Sequence, residues 1–208
     1  MLRNLTVFDF ETTGLDPQRD RVIEIAAIRV IDGVVASEFR TLVQYDGKLA
    51  PKITEITGIT DEDLAYGMDE VTAFKILNRF LGNHVLVAHN AAFDLSFLHY
   101  TLKRLAGRSF NNSFLDTLTI SRDRSVYPYT LSDMCNRYAV PLEGAHRALN
   151  DVNGCWKLLE ALYNEAPIDT YINKLGYLKK YGPPKWMPDY AIPVAQENVY
   201  EDRIRGNA

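Results

Sequence analysis

The sequence predicts an α/β layer architecture built on a mixed sheet, and three observations carry that expectation. Three strand-like segments come first, joined as in an antiparallel meander. The apolar period then lengthens, and helical segments begin to alternate with short strands. One of those later strands, Val85-Leu86-Val87-Ala88, is apolar throughout, as a strand covered on both faces should be.

Leu5 to Glu11 is rich in β-branched and aromatic residues and reads as the first buried strand. Thr12 to Pro17 is turn-rich. Arg21 to Ile31 is the second strand, and Asp32-Gly33 is a hairpin signal leading into the third, Val34 to Val43. Thr60-Asp61-Glu62-Asp63 resembles a helix start, and Val71, Phe74, Leu77, Phe80 and Leu81 follow at helical spacing. After the strand at Val85–Ala88, Asn90 is placed to cap a helix running through Phe93, Phe97 and Leu98 to about Leu105. Phe114 and Leu115 suggest a short strand. Thr130 to Asp133 opens a helix to about Tyr138, and a last amphipathic helix runs from about Leu149 to Leu162.

The composition then shifts. Five prolines, from Pro167 to Pro193, sit among Tyr171, Tyr177, Tyr181, Trp186, Tyr190 and Tyr200 without a sustained period. The expected organisation is one domain over residues 1–163 and a Pro/Tyr-rich extension over residues 164–208. That extension is either a clasp on the body or a partner-binding segment, and its apolar mass between Tyr171 and Trp186 favours docking in cis.

The chain has 208 residues, of which 47% are hydrophobic and 24% charged, an ordinary balance for a globular protein. No stretch approaches the roughly 18 apolar residues of a membrane span. Asp9 and Glu11 interrupt the only apolar run near the N-terminus, which argues against a signal peptide. The two cysteines, Cys135 and Cys155, make neither a disulfide framework nor a cysteine-based zinc site, so a reducing, cytoplasmic setting is expected. The formal net charge of −4 argues against a grip on long duplexes through many phosphates. It leaves room for a protein that handles a chain end at a metal site, because two divalent ions would cancel it.

Asp9 and Glu11 are two residues apart in a strand, so their side chains leave one face while Phe8 and Phe10 leave the other. Paired carboxylates at the end of an apolar strand repel each other and resist burial unless something positive lies between them. No Lys or Arg stands within four residues of the pair. Either a hard divalent cation sits there or the strand end is solvated. Asp94 falls in the first turn of its helix, where it could be a ligand or could complement the helix dipole. His146 and Asp151 would diverge by about 140° if both were helical. They converge more easily with His146 on a loop after Gly144 and Asp151 in the first turns of the last helix. Four carboxylates and a histidine are what a two-metal phosphoryl-transfer site requires.

Three segments taken together, Asp9-Phe10-Glu11-Thr12-Thr13-Gly14-Leu15, Asn90-Ala91-Ala92-Phe93-Asp94 and His146-Arg147-Ala148-Leu149-Asn150-Asp151, resemble the exonuclease motifs of the DnaQ-like DEDDh family. That family includes the proofreading subunit or domain of bacterial replicative polymerases. The resemblance covers roughly residues 4 to 163 and includes Thr57-Gly58-Ile59-Thr60, and all five catalytic positions agree. It implies a ribonuclease H-like fold, a mixed five-stranded sheet flanked by helices. It also implies that Asp9, Glu11, Asp94 and Asp151 hold two Mg²⁺ or Mn²⁺ ions and that His146 is the general base. The implied reaction is 3′-to-5′ hydrolysis of DNA, single-stranded ends favoured, releasing nucleoside 5′-monophosphates in proofreading or repair. A DNA polymerase could be met through the extension.

For the terminal nucleotide, the candidates are the backbone of Thr12, Gly14 and Leu15, the loop at Thr57 and Gly58, Asn90, and Phe93 as a stacking face. Phe93 lies at helical spacing with Phe97 and could equally be core, and Asn90 is first a helix cap. His89 could face the cleft; His84 reads as a turn residue, His99 as a helix-surface residue and Asp116 as a helix cap. Two alternatives stay open: an exoribonuclease of the same superfamily that trims RNA 3′ ends, and a replisome accessory module that binds without catalysing.

Overall fold

A computed structural model describes residues 4–142 and 147–197. Three long strands, β1 (Asn4–Thr12), β2 (Val22–Ile31) and β3 (Val34–Leu42), form the expected meander. Two short strands, β4 (Val85–Ala88) and β5 (Phe114–Asp116), add to it in parallel, so the sheet order is β3-β2-β1-β4-β5. The β1–β2 and β2–β3 pairs are antiparallel, which makes the five-stranded sheet mixed, as predicted.

Strand alternation sorts the two faces. Leu5 and Val7 of β1, with Ala26, Ile28 and Val30 of β2, pack against α7 (Ala148–Glu165) through Val152, Trp156, Leu159 and Leu162. Phe8 and Phe10, with Ile25 and Ala27, face the other way. They meet α3 (Glu70–Leu81) and α4 (Ala91–Ala106) through Phe74, Leu77, Leu95, Phe97 and Leu98. Burying each of these large side chains contributes about 1.5–3 kcal/mol, so β1 is held from both sides and its end is a rigid place to mount polar groups.

Among the described residues, two α-helices were not read from the sequence. The first is α1 (Pro51–Thr57), which turns the expected Thr57-Gly58 loop into a helix end. Pro51 opens it, and Gly58 closes it at φ 70°, a conformation in which glycine has no Cβ penalty. The apolar pattern after Thr60 also divides in two. Thr60 and Asp63 form a reciprocal capping box on the short α2 (Asp61–Ala65), and α3 starts afresh with Asp69 as its cap. The second unread helix is α5 (Thr117–Arg124), followed by α6 (Leu131–Arg137) and α7 at their expected places.

The described residues after α7 contain two further strands, β6 (Lys174–Leu178) and β7 (Ile192–Gln196), paired in parallel as a separate ribbon. The ribbon is bonded to the body. Asn173 Oδ1 accepts the Phe114 N–H at 2.9 Å, the Gly176 N–H donates to Thr119 Oγ1 at 2.7 Å, and Gln196 Nε2 donates to the Thr119 carbonyl at 2.9 Å. Gly176 lets the Gln196 side chain lie close against the strand, since an added Cβ would stand 2.0 Å from its Oε1 and would push that amide aside. In the connection between the two strands, Trp186 packs on the ring of His99 with centroids 4.4 Å apart, and near Tyr100 and Phe110. His99 is therefore covered rather than a plain helix-surface residue.

Candidate active site

β1 carries its apolar alternation up to Val7 and then places Asp9 and Glu11 on the same face, toward α7. Asp151 lies in the first turn of α7, one turn beyond the N-cap residue Arg147. Ligand oxygens of Asp9, Glu11 and Asp151 all come within 4.8 Å of one another, and each side chain keeps partial exposure. Asp9 stands opposite Ala26 of β2, which adds only a methyl beside it. A register shift between Glu11 and Thr12 ends the ladder with a bulge, a common feature where a strand turns into a site.

Asp94 belongs to the same neighbourhood but is buried beneath the end of β1, where its Oδ1 accepts the Phe10 N–H at 3.2 Å. That bond ties α4 to the strand carrying Asp9 and Glu11. His146 lies outside the described residues.

The electrostatics match a site short of positive charge. Burial pushes the Asp9 carboxyl well above its ordinary value, and Asp94, Glu11, Asp151 and Glu24 push it further. Burial raises Asp94 as well, against the hydrogen bond from Phe10. Glu11 is pushed up to about 7, by burial first and then by Asp151 and Glu24, with Arg147 opposing. The two guanidinium groups nearby, Arg40 and Arg147, are both bonded to Glu24. Glu24 escaped the sequence reading, although a lone acid inside the apolar run of β2 was a usable signal.

The other predicted residues fall as follows. Thr12 is buried and its hydroxyl donates to the Gly14 carbonyl at 2.6 Å. Gly14 leans on the Asp20 carboxylate, with the nearest oxygen 2.5 Å from where a Cβ would stand. Leu15 is 84% exposed at the loop tip. The Thr57 hydroxyl is used within α1, donating to the Ile53 carbonyl and accepting the Ile59 N–H, whereas Gly58 faces open space. Phe93 is half-buried against Phe97, with ring centroids 4.9 Å apart.

Asn90 does not cap α4 with its side chain. It occupies the N-cap position in the left-handed region, at φ 67°, and makes no side-chain cap bond. Asp116 does the capping instead, its Oδ1 accepting the N–H groups of Asn90 at 2.9 Å and Ala91 at 3.1 Å. Asp116 also caps α5 through Leu118 and Thr119, as its position at a strand end suggested. His89 is pinned at both ring nitrogens, by Thr117 Oγ1 and the Tyr129 carbonyl, each at 2.9 Å.

Comparison with known proteins identifies the family and the fold. A family model described as Exonuclease, of the RNase T type, matches residues 6–159. The chain is similar to DNA polymerase III PolC-type of Thermotoga petrophila, 37% identical over 149 residues, covering 70% of this chain. It is 34% identical to the Bacillus subtilis PolC-type polymerase over 165 residues, covering 77% of this chain. In each case it spans 11% of the polymerase's length. Among solved structures, Escherichia coli exonuclease I with zinc and single-stranded DNA aligns with TM-score 0.72 at 20% identity, covering 80% of this chain and 42% of that one. Exonuclease X bound to 5′-overhanging duplex DNA aligns with TM-score 0.63 at 24% identity, covering 79% and 93%. The fold is the ribonuclease H-like fold of these exonucleases.

Proposed function

The chain belongs to the DnaQ-like exonuclease family, and on that premise we propose that it hydrolyses the terminal phosphodiester at DNA 3′ ends, releasing nucleoside 5′-monophosphates. The observation that carries this reading is the convergence of Asp9, Glu11 and Asp151 within 4.8 Å, on two elements far apart in sequence.

The donors are all carboxylate oxygens, and the nearby guanidinium groups are engaged by Glu24, so the site suits hard divalent cations such as Mg²⁺ or Mn²⁺. Asp9, Glu11, Asp94 and Asp151 are the residues that would hold them. When bound, such ions stabilise charge developing on the phosphate and on the leaving 3′ oxygen. His146, next to the N-cap residue of α7, takes the proton of the attacking water, a task suited to an ordinary imidazole pKa of about 6.5. The Thr12–Leu15 loop, Gly58, Asn90 and Phe93 cradle the terminal nucleotide, with the exposed Leu15 against its base or sugar. A small loop residue permits close approach, and an apolar or aromatic face accepts any base.

The relatives are polymerases, and the chain is similar to a tenth of their length, which supports work beside a polymerase. Single-stranded ends are the preferred substrate on this reading, which the acidic balance of the chain supports, because a grip on long duplexes draws on many basic side chains.

The test uses one 5′-labelled oligonucleotide made as DNA and as RNA, with Mg²⁺ or Mn²⁺ and with a chelator. A metal-dependent ladder shortening from the 3′ end, faster on DNA and lost in Asp9→Ala and His146→Ala, is the expected result. A faster RNA ladder would move the assignment to RNA trimming. No ladder on either would overturn the enzymatic reading.

A further inference from the structure

We propose that Glu24 is a positioning residue, which sets the first turn of α7 against the end of β1 and so fixes Asp151 relative to Glu11. The inference deepens the proposed function and rests on it for its meaning. Its geometry stands independently.

Glu24 is fully buried in β2, directly opposite Glu11 in the antiparallel ladder. A buried carboxylate across from another acid is unfavourable unless donors surround it. Here they do. Oε1 accepts from Arg40 Nε at 3.0 Å and Nη2 at 2.8 Å, and from Arg147 Nη2 at 3.2 Å. Oε2 accepts from Arg147 Nε at 3.4 Å and from the Ala148 N–H at 3.2 Å. Both oxygens of Glu24 are thus engaged by protein donors.

The Ala148 N–H is one of the orphan donors at the start of α7, and Arg147 makes no side-chain cap of its own. The cap arrives from β2 instead. The same turn continues through the Asp151 N–H, which donates to the Arg147 carbonyl at 3.2 Å. A bonded path therefore runs from Glu11, across the ladder to Glu24, to Arg147 and Ala148, and one turn on to Asp151. The side chain does not react; it holds two reactive positions in register.

Glu24→Gln keeps the shape but removes the charge and one of the two acceptor oxygens. Hydrogen exchange followed by mass spectrometry is expected to quicken over residues 147–152 while β1 stays protected. In Mn²⁺ titrations read by electron paramagnetic resonance, without substrate, the dissociation constant is expected to rise about tenfold. In turnover, kcat falls while KM for the oligonucleotide stays within about twofold. Should Glu24→Gln fail to fold, Arg147→Gln serves, since it leaves the Ala148 bond in place. Wild-type exchange and wild-type Mn²⁺ affinity in a folded variant would overturn the proposal. So would exchange that quickens evenly through the whole chain, which marks a purely structural ion pair. If the wild-type protein proves inactive on DNA and RNA, the function reading fails, and the exchange arm still decides the role of Glu24.

Discussion

Glu11 reports on the site through its proton. Its folded-state pKa of about 7 lies above the ordinary 4.5, so the fold favours the neutral acid. That contribution to stability is complete below about pH 4.5 and is lost as pH rises through about 7. Glu11→Gln is always neutral. In a chelator it should match wild type near pH 4 and exceed it in melting temperature at pH 8. Added Mn²⁺ should raise the wild-type melting temperature at pH 8 and leave the variant with a smaller gain. Thermal melts at both pH values, with chelator and with Mn²⁺, check this; a pH-independent difference between the two proteins would contradict it. Gly14 gives a second prediction at this scale. A methyl there collides with Asp20, whose carboxylate accepts from Thr13 Oγ1 and the Asp16 N–H. Gly14→Ala should therefore unsettle the Thr12–Leu15 loop and raise KM for oligonucleotide more than it lowers the melting temperature.

Asp116 works at the scale of elements. One carboxylate closes two helices, receiving Asn90 and Ala91 from the start of α4 and Leu118 and Thr119 from the start of α5. It stands at the end of β5, paired with Ala88 at the end of β4, so one side chain joins two strand ends to two helix starts. Removing a buried acceptor that satisfies several N–H groups is expected to cost about 2–4 kcal/mol. Asp116→Ala should show that loss in urea titrations, and Asp116→Asn, which retains one oxygen, roughly half of it. A change below about 0.5 kcal/mol would mean that the two helix starts hold themselves.

At the scale of the whole molecule, residues after α7 return to the body along two routes. The ribbon of β6 and β7 bonds to β5 and α5, and Trp186 covers one side of α4. Leu175 is fully enclosed by this packing, while Tyr181 remains 75% exposed. We expect Trp186→Ala to destabilise the protein by about 2–3 kcal/mol and to speed proteolysis between β6 and β7. Dilute protease followed by mass spectrometry, beside a urea melt, measures both. Cleavage after residue 165 with an unchanged melt would mean that the extension contributes no stability.

Much of this was legible in local pattern. The period-two alternation of β1 determined that Asp9 and Glu11 share a face opposite Phe8 and Phe10. The change of period marked α3, α4 and α7, and Asp32-Gly33 marked the hairpin, because alternation and turn chemistry act between near neighbours. Short elements were harder: α1 and α5 bury too few apolar residues to set a period, although Pro51 and Gly58 bracket the first. Only the tertiary structure decided that Asp151 reaches the β1 carboxylates, that Asp116 rather than Asn90 caps α4, and that Glu24 binds Arg147 from 123 residues away. It alone decided that burial, Asp151 and Glu24 push Glu11 up to about 7. Desolvation and long-range hydrogen bonds depend on which surfaces meet, and residue spacing carries no record of that meeting.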